Sequence, residues 1–350
     1  MISIEKIPNK MSALVLEGIG DLRLEEVDIP KLEKDMVLLK IKCCGICSSD
    51  IERVFINGTY HFPTVPGHEF SGQIVAVEDK KDESLLGKNA CVFPLLPCMK
   101  CDACQKEEYA QCRNYNYFGS RCDGAFSEYL AIPKWNLILF EDLPYDIASL
   151  CEPSAVALHA VRRVEVKPND KVLVIGTGTI GIIASIILKH LGADVYISSR
   201  KPKISQMLED LNIKVLDGTN LEKSMEEASI LGFSHVFEAV GSNQAITEAI
   251  DSCDNFGSVV LIGNPKEDLK IPKKTYWKVL RKQLTLTGTW NSNYNSHIND
   301  WKDVLEFLKD NQESLKKVIT QKYPLNEYQK AFEDLRDKDT FTIKVTFENK

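Results

Sequence analysis

The stretch KVLVIGTGTIGIIASIILKHLGADVYISSRK, Lys171–Lys201, constrains this chain most. An apolar strand runs into Gly176-x-Gly178-x-x-Gly181, an apolar helix follows, and a second strand comes after it. A bare glycine triplet of this kind is a weak signal. Between a strand and a helix it predicts a βαβ unit, which needs a parallel sheet covered on both faces. The surroundings agree. Strand-like runs at Val172–Ile175, Val195–Ile197, His235–Glu238 and Val259–Ile262 alternate with helical stretches at Thr179–His190, Lys203–Leu211 and Asn243–Ser252. That alternation predicts an α/β, doubly wound parallel sheet.

Glycines at such a turn let the backbone approach a pyrophosphate, and the helix N-terminus favours its charge. Gly176, Gly178, Thr179, Ile180 and Gly181 are therefore the candidate dinucleotide-binding residues. The end of the second strand selects the dinucleotide. NAD sites carry Asp or Glu about 20 residues past the first glycines, for the ribose hydroxyls. Here the sequence reads Ser198-Ser199-Arg200-Lys201, and Asp194 comes too early, at the strand's start. Ser199, Arg200 and Lys201 suit a 2′-phosphate, so NADP(H) is expected over NAD(H); the alternative is that Arg200 and Lys201 are solvated loop cations.

The rest of the chain has another character. Up to about Asp142, short apolar runs (Ala13–Leu16, Val37–Ile41, Gly72–Val77, Ala90–Phe93) are separated by Gly, Pro and charged residues, which reads as β-rich. The tail offers an amphipathic helix near Trp301–Leu308 and a strand at Thr342–Thr346. The 350 residues suggest about two domains. The longest apolar run, near Thr179–Leu188, falls far short of the roughly 20 residues of a membrane span. A net charge of −7 without a basic tract argues against nucleic acid or an acidic membrane surface as partner. MISIEKIPNK has no apolar secretory core, so a cytoplasmic location with reduced thiols is expected.

In that setting the clustered cysteines among the 11 point to metal rather than disulfides. The spacing Cys98-x2-Cys101-x2-Cys104-x7-Cys112 lets four thiolates close around one tetrahedral zinc within a lobe at about 96–113. An iron–sulfur cluster is the rival, but neither a second cluster nor a following proline supports it. Four protein ligands leave no open position, so this metal is structural.

A reactive metal needs donors elsewhere. GICSSD (Gly45–Asp50) offers Cys47, GHEFSG (Gly67–Gly72) offers His68 and Glu69, and CEPSAVALH offers Glu152. Mixed thiolate, imidazole and carboxylate donors fit a catalytic zinc with an open position. Taken singly, each is ordinary: a lone His beside Glu is usually a satisfied pair, and Cys43 and Cys44 read as packing. Only the joint pattern lifts Cys47 and His68 above that. Ser49 suits a proton relay, although taken alone a turn or helix-cap serine is the stronger reading. Asp50 either orients a metal-bound histidine or caps a helix starting at Ile51.

Together these motifs resemble the zinc-dependent medium-chain dehydrogenase/reductase superfamily. The resemblance runs through GICSSD, GHEFSG, the cysteine lobe, DGAFSEY (Asp123–Tyr129), the CEP segment and GTGTIG in order, over nearly the whole chain. It implies a GroES-like catalytic domain (1–154), a Rossmann cofactor domain (155–289) and a return to the catalytic domain (290–350). It implies Cys47, His68 and Glu152 at a catalytic zinc, Glu69 as a further ligand or close neighbour, Ser49 as relay, and the cysteine lobe as a second zinc site. Two zinc ions per chain follow, as does a homo-oligomer, dimer or tetramer. VPGHEFSG, PLLPCMKCDACQ, YFGSRCDGAFSEY and LRKQLTLTGTW look most like the polyol and polyol-phosphate dehydrogenases. The implied reaction is hydride transfer between such a polyol and a nicotinamide, for example galactitol 1-phosphate to L-tagatose 6-phosphate. Sorbitol, 2,3-butanediol or L-threonine as substrate, and a non-catalytic zinc module, are the alternatives. A substrate phosphate needs cations. Arg53, Lys274 and Arg281 are candidates by type alone, and Tyr60, His61 and Trp290 are candidates for the polyol pocket. Cys43, Cys44, Cys91, Cys122, Cys151 and Cys253 read as buried or free thiols.

Overall fold

The structure is a computed structural model that describes residues 1–337 and 339–349. The chain forms two compact units, Met1–Glu152 with Asn293–Lys350, and Pro153–Ser292.

In the first unit the strand Met36–Ile46 organises the rest. Its sequence, MVLLKIKCCGI, is apolar and mostly buried apart from Lys40 and Lys42, as suits a central strand. It pairs antiparallel with Glu69–Val77, Tyr129–Pro133 and Lys344–Glu348, within an eight-stranded sheet. Segments from both ends of the chain thus share one sheet. Its register matters for function: Gly45 lies opposite Glu69, and Ile46 opposite Val345. The strand ends where Cys47 begins, so residues far apart in sequence meet at one edge. Beneath lies a core that includes Leu16, Leu39, Ile74, Phe126, Phe332 and Phe347.

The second unit is the expected doubly wound sheet. Its six strands are all parallel, in the spatial order Lys214–Asp217, Asp194–Ser199, Lys171–Ile175, Phe233–Glu238, Cys253–Leu261, Thr285–Gly288. Numbered along the chain this is 3-2-1-4-5-6, with the order reversing between Lys171–Ile175 and Phe233–Glu238, where such sheets bind dinucleotides. Helices Thr179–His190 and Asn243–Ser252 have the bounds expected from sequence. The four-residue edge strands KVLD and TLTG carry too little apolar pattern to be read in advance. Among the described residues no helix is long and apolar enough to cross a membrane.

Candidate active site

Cys47 caps the N-terminus of the short helix Ser48–Glu52. Asp50 sits inside this helix rather than capping one that starts at Ile51; its Oδ2 accepts the Cys47 backbone N–H at 2.9 Å. His68 follows Gly67, whose φ of 97° is left-handed and favours glycine. A Cβ on Gly67 would lie 2.5 Å from the Phe126 ring. The DGAFSEY segment clamps this approach. Asp123 Oδ1 accepts from Val65 N at 2.9 Å, Phe126 N donates to Pro66 O at 2.9 Å, and Ala125 N donates to Gly67 O at 2.9 Å. Glu69 opens its strand opposite Gly45, where a Cβ would stand 2.4 Å from Glu69 Oε2. The result is a compact trio. Donor atoms of Cys47, His68 and Glu69 all lie within 4.8 Å of one another, with His68 and Glu69 buried. A thiolate, an imidazole and a carboxylate so grouped fit a zinc ion and leave a position for substrate.

Neighbours set the charge of this trio. Asp50 Oδ1 stands 3.4 Å from His68 Nδ1, facing the ring without a well-angled hydrogen bond. Burial alone would raise the Asp50 carboxyl, but His68 and Arg53 hold it at about 2. Arg53 donates at 2.9 Å to both Asp50 Oδ1 and Ser49 Oγ. Both bonds come from Nη1, and they pair its charge with Asp50. Lys344, buried, donates to Glu69 Oε2 at 2.6 Å and to Ile46 O at 3.1 Å. Glu152 is the second residue of helix Cys151–Val161. It lies outside the 4.8 Å trio and accepts from Tyr117 Oη at 3.2 Å. Burial pushes its carboxyl up to about 7, with Glu69 adding to the shift and His68 and Lys344 opposing it. The Tyr117 ring packs edge-on to His68, centroids 5.7 Å apart.

The second cluster is all thiol. Sγ atoms are 3.6 Å apart for Cys101–Cys104 and 3.9 Å for Cys98–Cys104 and Cys101–Cys112. A disulfide would need about 2.05 Å. A tetrahedron of sulfurs each about 2.3 Å from a central zinc has edges of about 3.8 Å. The spacing fits that cage. Backbone N–H groups of Cys104 and Arg113 hold Cys101 down to about 6, whereas burial and the neighbouring thiols push Cys104 up to about 12.

The three glycines of the nucleotide loop have separate jobs. Gly176 turns the chain at φ 115°. Gly181 allows the helix onto the strand, since a Cβ there would meet Gly176 O at 2.0 Å. Gly178, the cap of Thr179–His190, has nothing within 4 Å of a Cβ, which leaves the approach a pyrophosphate needs. At the end of the second strand, Ser199 Oγ accepts from Lys201 N at 3.2 Å. Arg200 Nε donates to Gly218 O at 2.9 Å, and its other end lies 3.7 Å from Glu248. Asp217, opposite Ser199, is turned into its own loop by Thr219.

Other candidates lie elsewhere. Lys274, Arg281 and Trp290 are exposed on the second unit, with Arg281 stacked on Trp277. Tyr60 and His61 are exposed on the first unit. Cys43, Cys44, Cys91, Cys151 and Cys253 are buried and Cys122 is half-buried, none of them in a disulfide. Sequence reasoning missed Tyr117 and Lys344. Only Lys344 left a trace, as a lone lysine within the strand run FTIKVTF.

A β-rich unit with a mixed-donor metal cluster and a thiol cage, joined in one chain to a parallel dinucleotide sheet, defines a zinc- and nicotinamide-dependent dehydrogenase. Comparison with known proteins agrees. Residues 33–142 match the alcohol dehydrogenase GroES-like domain family, and residues 146–348 the glucose dehydrogenase C-terminus family. The chain belongs to the zinc-dependent medium-chain dehydrogenase/reductase superfamily, among its alcohol and polyol dehydrogenases, and is an oxidoreductase. It is 32% identical to galactitol 1-phosphate 5-dehydrogenase of Escherichia coli (strain K12) over 93% of this chain and 96% of that protein. The crystal structure of galactitol-1-phosphate dehydrogenase from Escherichia coli superposes with a TM-score of 0.88 at 29% identity, covering 97% of this chain and 100% of that one. Sorbitol dehydrogenase of Bacillus subtilis (strain 168) is 25% identical over 93% of this chain and 94% of that protein.

Proposed function

We propose that this enzyme interconverts a polyol phosphate and its ketose phosphate, galactitol 1-phosphate and L-tagatose 6-phosphate, using NADP(H). The observation that carries the reading is the Cys47, His68 and Glu69 cluster, in a chain 32% identical to galactitol 1-phosphate 5-dehydrogenase over 93% of its length. When bound, zinc at this cluster supplies Lewis acidity toward a secondary hydroxyl, and the nicotinamide accepts hydride. The chain's own residues prepare that chemistry. Asp50 faces His68 Nδ1 and so leaves the other ring nitrogen for the metal. Lys344 neutralises Glu69 while holding the carbonyl that precedes Cys47. Ser49 takes the substrate proton toward solvent; the Arg53 N–H on its Oγ stabilises the oxygen while its own proton leaves. Glu152 borders the metal site as a carboxyl whose charge is discouraged by burial. Gly176, Gly178, Thr179, Ile180 and Gly181 hold the pyrophosphate, and Ser199, Arg200 and Lys201 the 2′-phosphate. Cys98, Cys101, Cys104 and Cys112 hold the second, structural zinc.

The test is initial rates of zinc-loaded protein on galactitol 1-phosphate and galactitol, each with NADP⁺ and NAD⁺. Faster turnover of the phosphorylated polyol with NADP⁺ is expected. Activity with NAD⁺ alone would remove the cofactor assignment, and no preference for the phosphorylated polyol would remove the substrate. A non-phosphorylated polyol is the second reading, supported by the similarity to sorbitol dehydrogenase.

A further inference from the structure

One cation beside the candidate site is held unlike the others. The Arg121 guanidinium lies 3.9 Å from the Tyr60 ring centroid and 4.5 Å from that of Tyr115. Stacking occupies the faces of the planar group, so its N–H donors point outward in the plane. Among the described residues they meet no acid, and Nε is buried without a hydrogen-bond partner. Arg53 contrasts, since its Nη1 pairs with the Asp50 carboxylate at 2.9 Å. A half-buried cation without an acid carries a desolvation cost that a bound anion offsets.

Arg121 is also close to the chemistry. Its backbone N–H donates to Tyr117 O at 3.0 Å. Tyr117 in turn packs against His68 and donates to Glu152. The Tyr115 ring, which stacks on Arg121, lies 6.4 Å from the Tyr117 ring, centroid to centroid. A rigid, always-charged fork that exposes its edge is the geometry that takes two oxygens of a phosphate.

We infer that Arg121, clamped between Tyr60 and Tyr115, is the subsite for a phosphate monoester group and makes the enzyme select phosphorylated polyols. The inference rests on the phosphorylated-substrate reading above. Tyr60 and Tyr115 act as positioning residues that keep the fork's edge open.

The experiment compares zinc-loaded wild type, Arg121→Lys and Arg121→Met. It measures kcat/KM for galactitol 1-phosphate and for galactitol, and the binding of inorganic phosphate by calorimetry. Arg121→Met is expected to lower the ratio of the two kcat/KM values about 10- to 100-fold, mainly through KM for the phosphorylated substrate. Arg121→Lys, which keeps charge without the fork, falls between, and phosphate binding is lost in Arg121→Met. A wild-type preference for galactitol 1-phosphate that survives in Arg121→Met overturns the subsite and leaves the substrate reading standing. Equal losses on both substrates assign Arg121 to structure and also overturn it. If wild type shows no such preference, the substrate reading fails and the phosphate titration decides: Arg121-dependent binding keeps the subsite, and its absence removes it.

Discussion

Lys344 Nζ lies 2.6 Å from Glu69 Oε2, and both side chains are withdrawn from solvent. Burial by itself would lower the lysine's pKa; Glu69 and the Cys47 thiolate outweigh it and hold it raised. Removing one member of a buried pair leaves the other charge uncompensated, at about 3–5 kcal/mol. Lys344→Met should therefore lose about that much stability in urea unfolding of the zinc-loaded protein. Because the damage lies in the stranded carboxylate, adding Glu69→Gln to Lys344→Met should recover most of the stability lost in Lys344→Met alone. A double variant no more stable than Lys344→Met would mean that the two residues act independently.

Gly178 and Gly181 should separate binding from folding. A Cβ on Gly178 meets nothing within 4 Å, and its φ of −79° suits any residue. Gly178→Ala should keep the wild-type melting temperature while raising KM for the dinucleotide by about tenfold or more, since the methyl enters the space a pyrophosphate needs. At Gly181 the methyl would press on Gly176 O at 2.0 Å. Gly181→Ala should cost about 1–3 kcal/mol or more through overpacking. Thermal unfolding and cofactor titration of both variants check this, and a destabilised Gly178→Ala with normal cofactor binding would refute it.

The cysteine cage makes a prediction about metal count. With four sulfurs within 4.8 Å of one another, one lost thiolate breaks the tetrahedron, whereas the Cys47 cluster shares no residue with it. Wild type should contain two zinc ions per chain by elemental analysis, on the coordination logic of both sites. Cys112→Ser should retain about one of them and melt at a lower temperature. Two metals retained in Cys112→Ser would rule out a zinc cage in the lobe.

What could be read in advance follows the range of the interactions. Local signals carried the glycine loop, the cysteine spacing and the helices Thr179–His190 and Asn243–Ser252, because each is written within a short window. Helix Cys151–Val161 was hidden because it is largely buried, which leaves no amphipathic period. The surroundings of the metal donors were less legible still. The partners Lys344 and Glu69 are 275 residues apart, and they meet only because the register sets Gly45 against Glu69 and Ile46 against Val345. Asp50 illustrates the converse. Its sequence position suits a helix cap, but the helix begins at Ser48, which frees the carboxylate to face His68.

Ser199 offers the sharpest test of the cofactor. It ends the second strand, where a carboxylate would bind the ribose hydroxyls of NAD and repel a 2′-phosphate. Its Oγ already accepts the Lys201 N–H, so an Asp at this position keeps an acceptor for that donor. Ser199→Asp should shift the ratio of kcat/KM for NADP⁺ to that for NAD⁺ toward NAD⁺ by about a hundredfold, the scale of placing like charges together. Arg200→Ala should lower kcat/KM for NADP⁺ by about tenfold through loss of one charge-assisted contact, with a smaller effect on NAD⁺. Its bond to Gly218 O tethers the side chain, and a 2′-phosphate would compete for the guanidinium with Glu248, 3.7 Å away. If Arg200→Ala affects both cofactors equally, the arginine serves the loop and not the phosphate, and the preference for NADP(H) loses its basis.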